Sequence, residues 1–404
     1  NPDRRLRVAY ISPDFYMHSV AYNFEAFLGG RDHQATEVYG YSNVAKPDEM
    51  TERLKQRFDH YRNIRGVDDK AVADMIERDE IDILVEIGGH SCDNRLLVLA
   101  YKPAPVQVDY GGINTSGMEQ IDYRLTDSLL DSPETQKFYV EELVYLPCGF
   151  ICYTPPDFAP PVTPLPAVQK GYVTFGSFNS SLKINPYIMS LWAQVLKATE
   201  GSHFLLKFGG ARDPKMKDYY YREFERLGIG TERVEIHGWK RTGEHLKIYG
   251  QVDIVLDTYP VNGCVNTLEG LWMGVPMISL AGKEHSLLSR AGLSILSRLD
   301  MDFFATSTPD EYVAKATALA ANLDALAKIR GSMRQRMAAS VLCDAKTYTR
   351  SIEAAYRKMW YRWCRSRGVN VPEGDLAPRE GSGVVEASVR FGHAQTARSL
   401  SEGQ

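Results

Sequence analysis

Residues 69–90, DKAVADMIERDEIDILVEIGGH, change their period halfway along. Val72, Met75 and Ile76 recur at the three- and four-residue spacing of an amphipathic helix. Residues 81–87 are then apolar almost without interruption, as in a strand buried on both faces. A helix that feeds such a strand directly is half of a βαβ unit, and it predicts a parallel sheet with helices on both sides. The same alternation runs back to the start of the chain. Residues 6–11 and 37–41 read as strands, 20–28 and 51–58 as helices, and 103–108 and 123–126 as further short strands.

Residues 153–168, YTPPDFAPPVTPLPAV, hold six prolines, which suit neither a helix interior nor a central strand and favour an extended tether. A first Rossmann-like half over 1–155 and a linker over 156–170 follow. The alternation then restarts, with strands at 172–175, 203–208, 234–237, 254–256 and 276–280 and helices at 186–199 and 215–227. The expected fold is therefore α/β, with a second Rossmann-like half over 171–366. The pattern over 312–339 is helical, and 347–365 read as a closing helix whose Tyr356, Met359, Trp360 and Trp363 pack. Beyond it the chain turns to Gly, Ser, Glu, Arg and Ala, so 367–404 is expected to be a disordered tail.

Composition narrows the function. Hydrophobic residues make up 44% and charged residues 24%, the balance of a globular enzyme, and 404 residues suit two domains. A net charge of −4 gives no global field toward nucleic acid or anionic lipid. Six scattered cysteines are too few for a disulfide framework, and Cys148 with Cys152 has no second pair at a metal-ligand spacing, so no metal is expected. With no apolar run of membrane-spanning length and no signal pattern, a cytoplasmic protein is expected; a strand so close to Asn1 suggests sequence trimmed upstream.

Open α/β sheets bind ligands at the carboxyl ends of their strands, so the polar loops there carry the functional signal. SPDFYMHS (12–19) offers His18 at a helix start, as acid, base or donor contact or simply as a cap. GGHSCDN (88–94) sets His90 behind two glycines that let a ligand approach the backbone, or that make a plain tight turn. YGGINTSG (110–117) could line a cleft or simply connect. GSFNSSLKINP (176–186) sets Asn179, Ser180 and Lys183 where a helix begins, a position for a pyrophosphate clamp or for a surface lysine. YPVNGCVNTLE (259–269) offers Asn262, Gly263, Cys264, Asn266 and Thr267 at a helix start, with Glu269 able to hold ribose hydroxyls; a capping turn explains the Asn and Thr equally well. There is no G-x-G-x-x-G, Walker lysine or G-x-S-x-G motif.

Taken in order, ISPDFYMHSVAY, IDILVEIGGHS, VTFGSFNSSLKI, GEHLKIYGQVDIVLDTYPVNG, EGLWMGVPMISLAG and AAYRKMWYRWC resemble the catalytic region of SPINDLY-family proteins. These stand with the O-GlcNAc transferases in glycosyltransferase family 41, and bacterial members look most similar. The resemblance covers residues 4–366. It implies a GT-B fold and an inverting, metal-independent, cofactor-free transfer of a sugar from a nucleotide donor, UDP-GlcNAc first and GDP-fucose second, to Ser or Thr of an acceptor protein. It also implies that Lys183 contacts the donor phosphates, His18 lies near sugar and acceptor, His245 sits by the base and Glu269 holds ribose.

Where relatives carry a threonine run after the glycine, this chain has Cys264, Val265, Asn266 and Thr267 after Gly263. That points to an altered donor or to a non-catalytic nucleotide- or peptide-binding descendant. Relatives also carry tetratricopeptide repeats upstream, and this chain has no period of that kind.

Overall fold

The computed structural model describes residues 1–110, 114–282 and 287–371. The first half runs β1 (Leu6–Ser12), α1 (Ser19–Gly29), β2 (Thr36–Ser42), α2 (Glu49–Lys55), β3 (His60–Asn63), α3 (Asp69–Arg78), β4 (Ile83–Glu86), α4 (Leu96–Ala100), β5 (Val106–Asp109), β6 (Tyr123–Thr126) and β7 (Glu142–Tyr145). Its strands form one parallel sheet in the order β3-β2-β1-β4-β5-β6-β7. The apolar run that announces β4 pairs with β1 on one side and β5 on the other, so all four residues are buried.

The second half runs α5 (Pro166–Lys170), β8 (Thr174–Ser177), α6 (Pro186–Ala198), β9 (His203–Lys207), α7 (Pro214–Arg226), β10 (Val234–His237), α8 (Thr242–Ile248), β11 (Ile254–Leu256), α9 (Val265–Trp272), β12 (Met277–Leu280), α10 (Leu287–Ser297), β13 (Ala305–Thr306), α11 (Pro309–Ala320), α12 (Leu323–Ala338) and α13 (Ala345–Ser366). Its sheet order is β10-β9-β8-β11-β12-β13. Two Rossmann-like sheets facing across a cleft make this the GT-B architecture.

Three features differ from the sequence reading. The proline-rich stretch is not extended throughout: Pro166 opens α5, where its missing N–H costs nothing, and Leu165 and Ala167 are buried in the core of the second half. The helical pattern over 312–339 is two helices, α11 and α12. The closing helix lies in the span assigned to the second half but packs on the first. Tyr348, Ile352, Tyr356 and Trp360 join one cluster with Leu6, Val8 and Phe24, and Arg357 donates to the carbonyls of Pro2 and Arg4 at 2.7 and 2.9 Å. Of the tail, Val371 is buried in that cluster, and 372–404 lie outside the described residues.

α10 fastens the halves together. Arg290 and Ser294 in the helix and Arg298 just past its end stand four residues apart: Arg290 donates to the Leu129 carbonyl at 2.7 Å, and Ser294 to the Asp127 carboxylate at 2.7 Å. Arg298 pairs with Asp127 at 3.2 Å and donates to the Cys148 carbonyl at 3.0 Å. Gly149, at φ +97°, is the residue beside this contact, and a Cβ there would collide with the Arg298 guanidinium.

Candidate active site

Strand order reverses direction at β1 and β4 in one sheet and at β8 and β11 in the other, and ligands gather at such switch points. The loops after these four strands carry His18, His90, Lys183 and Asn262. Between the halves lies a cleft of about 340 Å³. Val20 and Phe24 of α1, Ile87 and Leu125 line it from the first half; Lys183, Asn262, Cys264 and Val265 line it from the second, and Phe150 and Tyr348 from the segments that connect them.

On the second half, Lys183 Nζ donates to the Asn262 carbonyl at 2.7 Å, which joins the loop after β8 to the turn that opens α9. That turn is organised by Asp257, which the sequence reading did not single out. Its buried carboxylate accepts from the Gly263 N–H at 2.7 Å, the Thr258 N–H at 2.8 Å, Ser279 Oγ at 2.8 Å and Asn179 Nδ2 at 3.4 Å. Burial raises its pKa from 3.8 to about 6, against the lowering pull of these donors and of Lys183. A Cβ on Gly263 would lie 2.8 Å from Thr267 Oγ1 and 3.1 Å from Asp257 Oδ1, so the turn closes only around glycine.

The remaining residues of these two loops divide by orientation. Cys264 and Val265 face the cleft, and burial pushes the Cys264 thiol up to about 12. Asn262 spends its side-chain amide on the Thr258 and Leu280 carbonyls, at 2.9 and 3.3 Å. Thr267 turns its hydroxyl inward to the Met277 sulfur at 3.5 Å, and Asn266 donates to the Phe178 carbonyl at 2.6 Å. Ser180 caps the short turn that carries Lys183. Asn179 is buried, and its Oδ1 has no hydrogen-bond partner among the described residues.

His245 and Glu269 meet: Nε2 lies 3.0 Å from Oε2, joining α8 to α9. His245 packs edge-on against Phe178 and Tyr249, whose rings stack at 3.9 Å. Its Nδ1 is buried with no hydrogen-bond partner among the described residues.

On the first half, His18 is the N-cap of α1. Its Nδ1 accepts from the Val20 N–H at 3.4 Å and lies 4.0 Å from Asp14, whose carboxyl is raised by burial against the pull of His18. His18 does not line the cleft itself, but Val20, two residues on, does. His90 is exposed, and its ring bonds the Thr115 carbonyl at 3.0 Å rather than pointing into the cleft. Beneath it, Glu86 accepts the Gly88 and Gly89 N–H groups at 2.7 and 2.6 Å. Burial and then Asp109 hold its carboxyl well above the usual range. Glu86, Asp109 and Arg124 stand in register across β4, β5 and β6, and Arg124 pairs with Asp109 while lining the cleft. The sequence signal for Arg124 was only a lone cation inside a strand. Residues 111–113 of the 110–117 loop lie outside the described residues.

Comparison with known proteins agrees with this geometry. The model of glycosyl transferase family 41 matches residues 1–154 and 166–352. A Hordeum vulgare protein named as a probable UDP-N-acetylglucosamine–peptide N-acetylglucosaminyltransferase SPINDLY is 42% identical over 368 residues, covering 90% of this chain and 39% of the relative. The chain thus spans about two fifths of the curated relatives it matches. A solved Thermobaculum terrenum O-GlcNAc transferase mutant superposes with a TM-score of 0.86 at 34% identity, covering 91% of this chain and 70% of that one. The lipopolysaccharide outer core galactosyltransferase WaaB, at 12% identity and a TM-score of 0.54 over 87% of this chain and 99% of that one, shares the fold alone.

Proposed function

The chain belongs to glycosyl transferase family 41, and from that premise we propose that it transfers a sugar from a nucleotide-sugar donor to a Ser or Thr hydroxyl of a polypeptide. The observation that carries this reading is the meeting of Lys183 with the opening turn of α9 on the wall of a cleft between two Rossmann-like halves.

Transfer with inversion needs an acceptor hydroxyl on one face of the sugar and a stabilised diphosphate leaving on the other. Lys183 and the N–H groups at the start of α9 supply the positive charge where the phosphates depart. Metal-independent transfer is part of the proposal, because this cation and helix terminus are themselves a charge stabiliser, and no organic cofactor has a step to perform. His245 and Glu269 stand on the same side, where base and ribose would lie. His18, at the start of the helix whose Val20 lines the cleft, is the candidate contact for sugar and acceptor, with His90 farther out. Among the described residues no helix is long and apolar enough to cross a membrane, and the reading is of a cytoplasmic enzyme whose acceptors are presented by repeats outside this chain.

Cys264 and Val265 favour a second reading, in which the donor differs from UDP-GlcNAc, with GDP-fucose the next candidate, or in which the cleft binds without turnover. One experiment separates these. A thermal-shift panel of UDP, GDP and their sugar conjugates, followed by mass spectrometry of acceptor peptides, should give stabilisation by one nucleotide and a matching mass increment on Ser or Thr. Stabilisation without any increment leaves only the binding descendant, and no stabilisation by any nucleotide rejects both.

A further inference from the structure

Outside the cleft, the second half has another concavity at the carboxyl ends of β9 and β10. It measures about 490 Å³ and is walled by Arg212, Pro214, Lys217, Trp239 and Lys240. Trp239 is 51% exposed, and the Arg212 guanidinium lies 4.9 Å from its ring centroid, a cation–π contact that holds both side chains upright at the rim. None of Arg212, Lys217 and Lys240 has a carboxylate within ion-pair distance among the described residues. Nearby Arg226 and Lys247 are paired, with Glu223 and Glu244. The adjacent Asp213 carboxylate accepts the Lys215 N–H at 2.9 Å as the cap of α7.

Three cations without a close ion pair among the described residues, of which Lys240 also feels the Glu244 carboxylate that Lys247 holds, stand around an exposed indole and form a local positive site on a chain whose net charge is −4. The site also borders the donor loop: a Cβ on Gly210, in the turn that leads to Arg212, would lie 3.9 Å from Ser181 Oγ, two residues before Lys183.

We propose that this pocket docks an acidic, aromatic-containing stretch of the acceptor polypeptide and so helps to choose which proteins are modified. The identity of the partner as the acceptor rests on the transferase reading above. Carboxylates suit Arg and Lys at a rim, and the free face of Trp239 suits an aromatic or apolar neighbour. Nucleic acid would call for a cationic track longer than one pocket.

The test reads binding without turnover. A fluorescein-labelled peptide rich in Asp and Glu with one Tyr, a Lys-rich counterpart and a single-stranded RNA of similar length are titrated onto the full chain, onto R212E/K240E and onto W239A. UDP and GDP affinities are measured in parallel. The acidic peptide should bind the unaltered chain and weaken about tenfold in R212E/K240E, with affinity falling as salt rises. W239A should weaken it too, and nucleotide affinity should not change. Failure of the acidic peptide to bind, equal binding by R212E/K240E, or tighter binding of the RNA would overturn the proposal. So would loss of nucleotide affinity in R212E/K240E, which would assign the pocket to the donor. A chain that binds the peptide but transfers no sugar sinks the catalytic reading and leaves the docking site standing.

Discussion

Asp257 ties together the turn that opens α9, and replacing it separates what its shape does from what its charge does. In Asp257→Asn the remaining oxygen can still accept from the Gly263 and Thr258 N–H groups, while the new amide faces Ser279 Oγ, a hydroxyl that can rotate to accept. The fold should survive. In Asp257→Ala four buried donors, Gly263 and Thr258 N–H, Ser279 Oγ and Asn179 Nδ2, lose their acceptor, and at about 1–3 kcal/mol for each the loss should be about 4 kcal/mol or more at pH 5.

Charge enters through pH. The folded carboxyl titrates near 6 and the unfolded one near 3.8, so between these values the folded chain keeps a proton that the unfolded chain gives up. The stability associated with that proton is fully present below 3.8 and is lost as the pH rises through about 6. The gap is worth about 3 kcal/mol. Asparagine does not titrate, so wild type should lose about that much stability relative to Asp257→Asn between pH 4 and 7.5, measured by urea denaturation at each pH. Parallel curves for the two proteins, or an Asp257→Ala variant as stable as Asp257→Asn, would refute the reasoning.

Lys183→Ala should lower transfer by about a hundredfold or more while leaving the circular dichroism spectrum unchanged, since a cleft lysine acts on charge that grows in the transition state; wild-type turnover would make it a bystander. Cys264→Thr with Val265→Thr should tighten nucleoside diphosphate binding by about tenfold or more in calorimetry, by restoring hydroxyl donors to a charged ligand; equal affinities would mean that the two positions do not face the phosphates. Iodoacetamide at pH 8 should alkylate exposed Cys92 well before half-buried Cys264, whose thiol desolvation pushes up to about 12, as read by peptide mass spectrometry; equal rates would contradict that upward shift.

The elements legible in the sequence are those whose side chains state their surroundings. β4 opens on the apolar run Ile83, Leu84 and Val85 because both its neighbours are strands, and α3 shows its buried face through Val72 and Ile76. β7 was missed because it is a four-residue edge strand with Glu142 and Tyr145 exposed, so little of it alternates. The closing helix was legible as a helix, but its partner was not: an aromatic stripe says that something is buried and not which half covers it. Strand-end placement likewise brought out Lys183 and Asn262, which do line the cleft, and Cys264 beside them. Asp257 and Arg124 escaped because each acts through groups that only the fold assembles, from β8, β11 and β12 in one case and from β5 and β6 in the other.

The same logic shows what keeps the cleft in shape. α10 presents Leu288 and Ala291 to the cleft and Arg290 and Ser294 to the first half, with Arg298 just past its end joining them, so one helix is both wall and fastener. Asp127 is fully buried and also accepts the Phe150 N–H at 3.0 Å, which draws the connecting segment into the same contact. A buried carboxylate held by an arginine, a serine and a backbone amide is a specific contact more than a strong one, because desolvation offsets most of the attraction. Its consequence is geometric. Leu129 and Asp127 follow β6, the strand that carries Arg124 and Leu125 to the cleft, so the first-half wall is set against α10 at a fixed distance. Removing only Arg298 would leave the Asp127 carboxylate without its ion-pair partner and disturb both walls together.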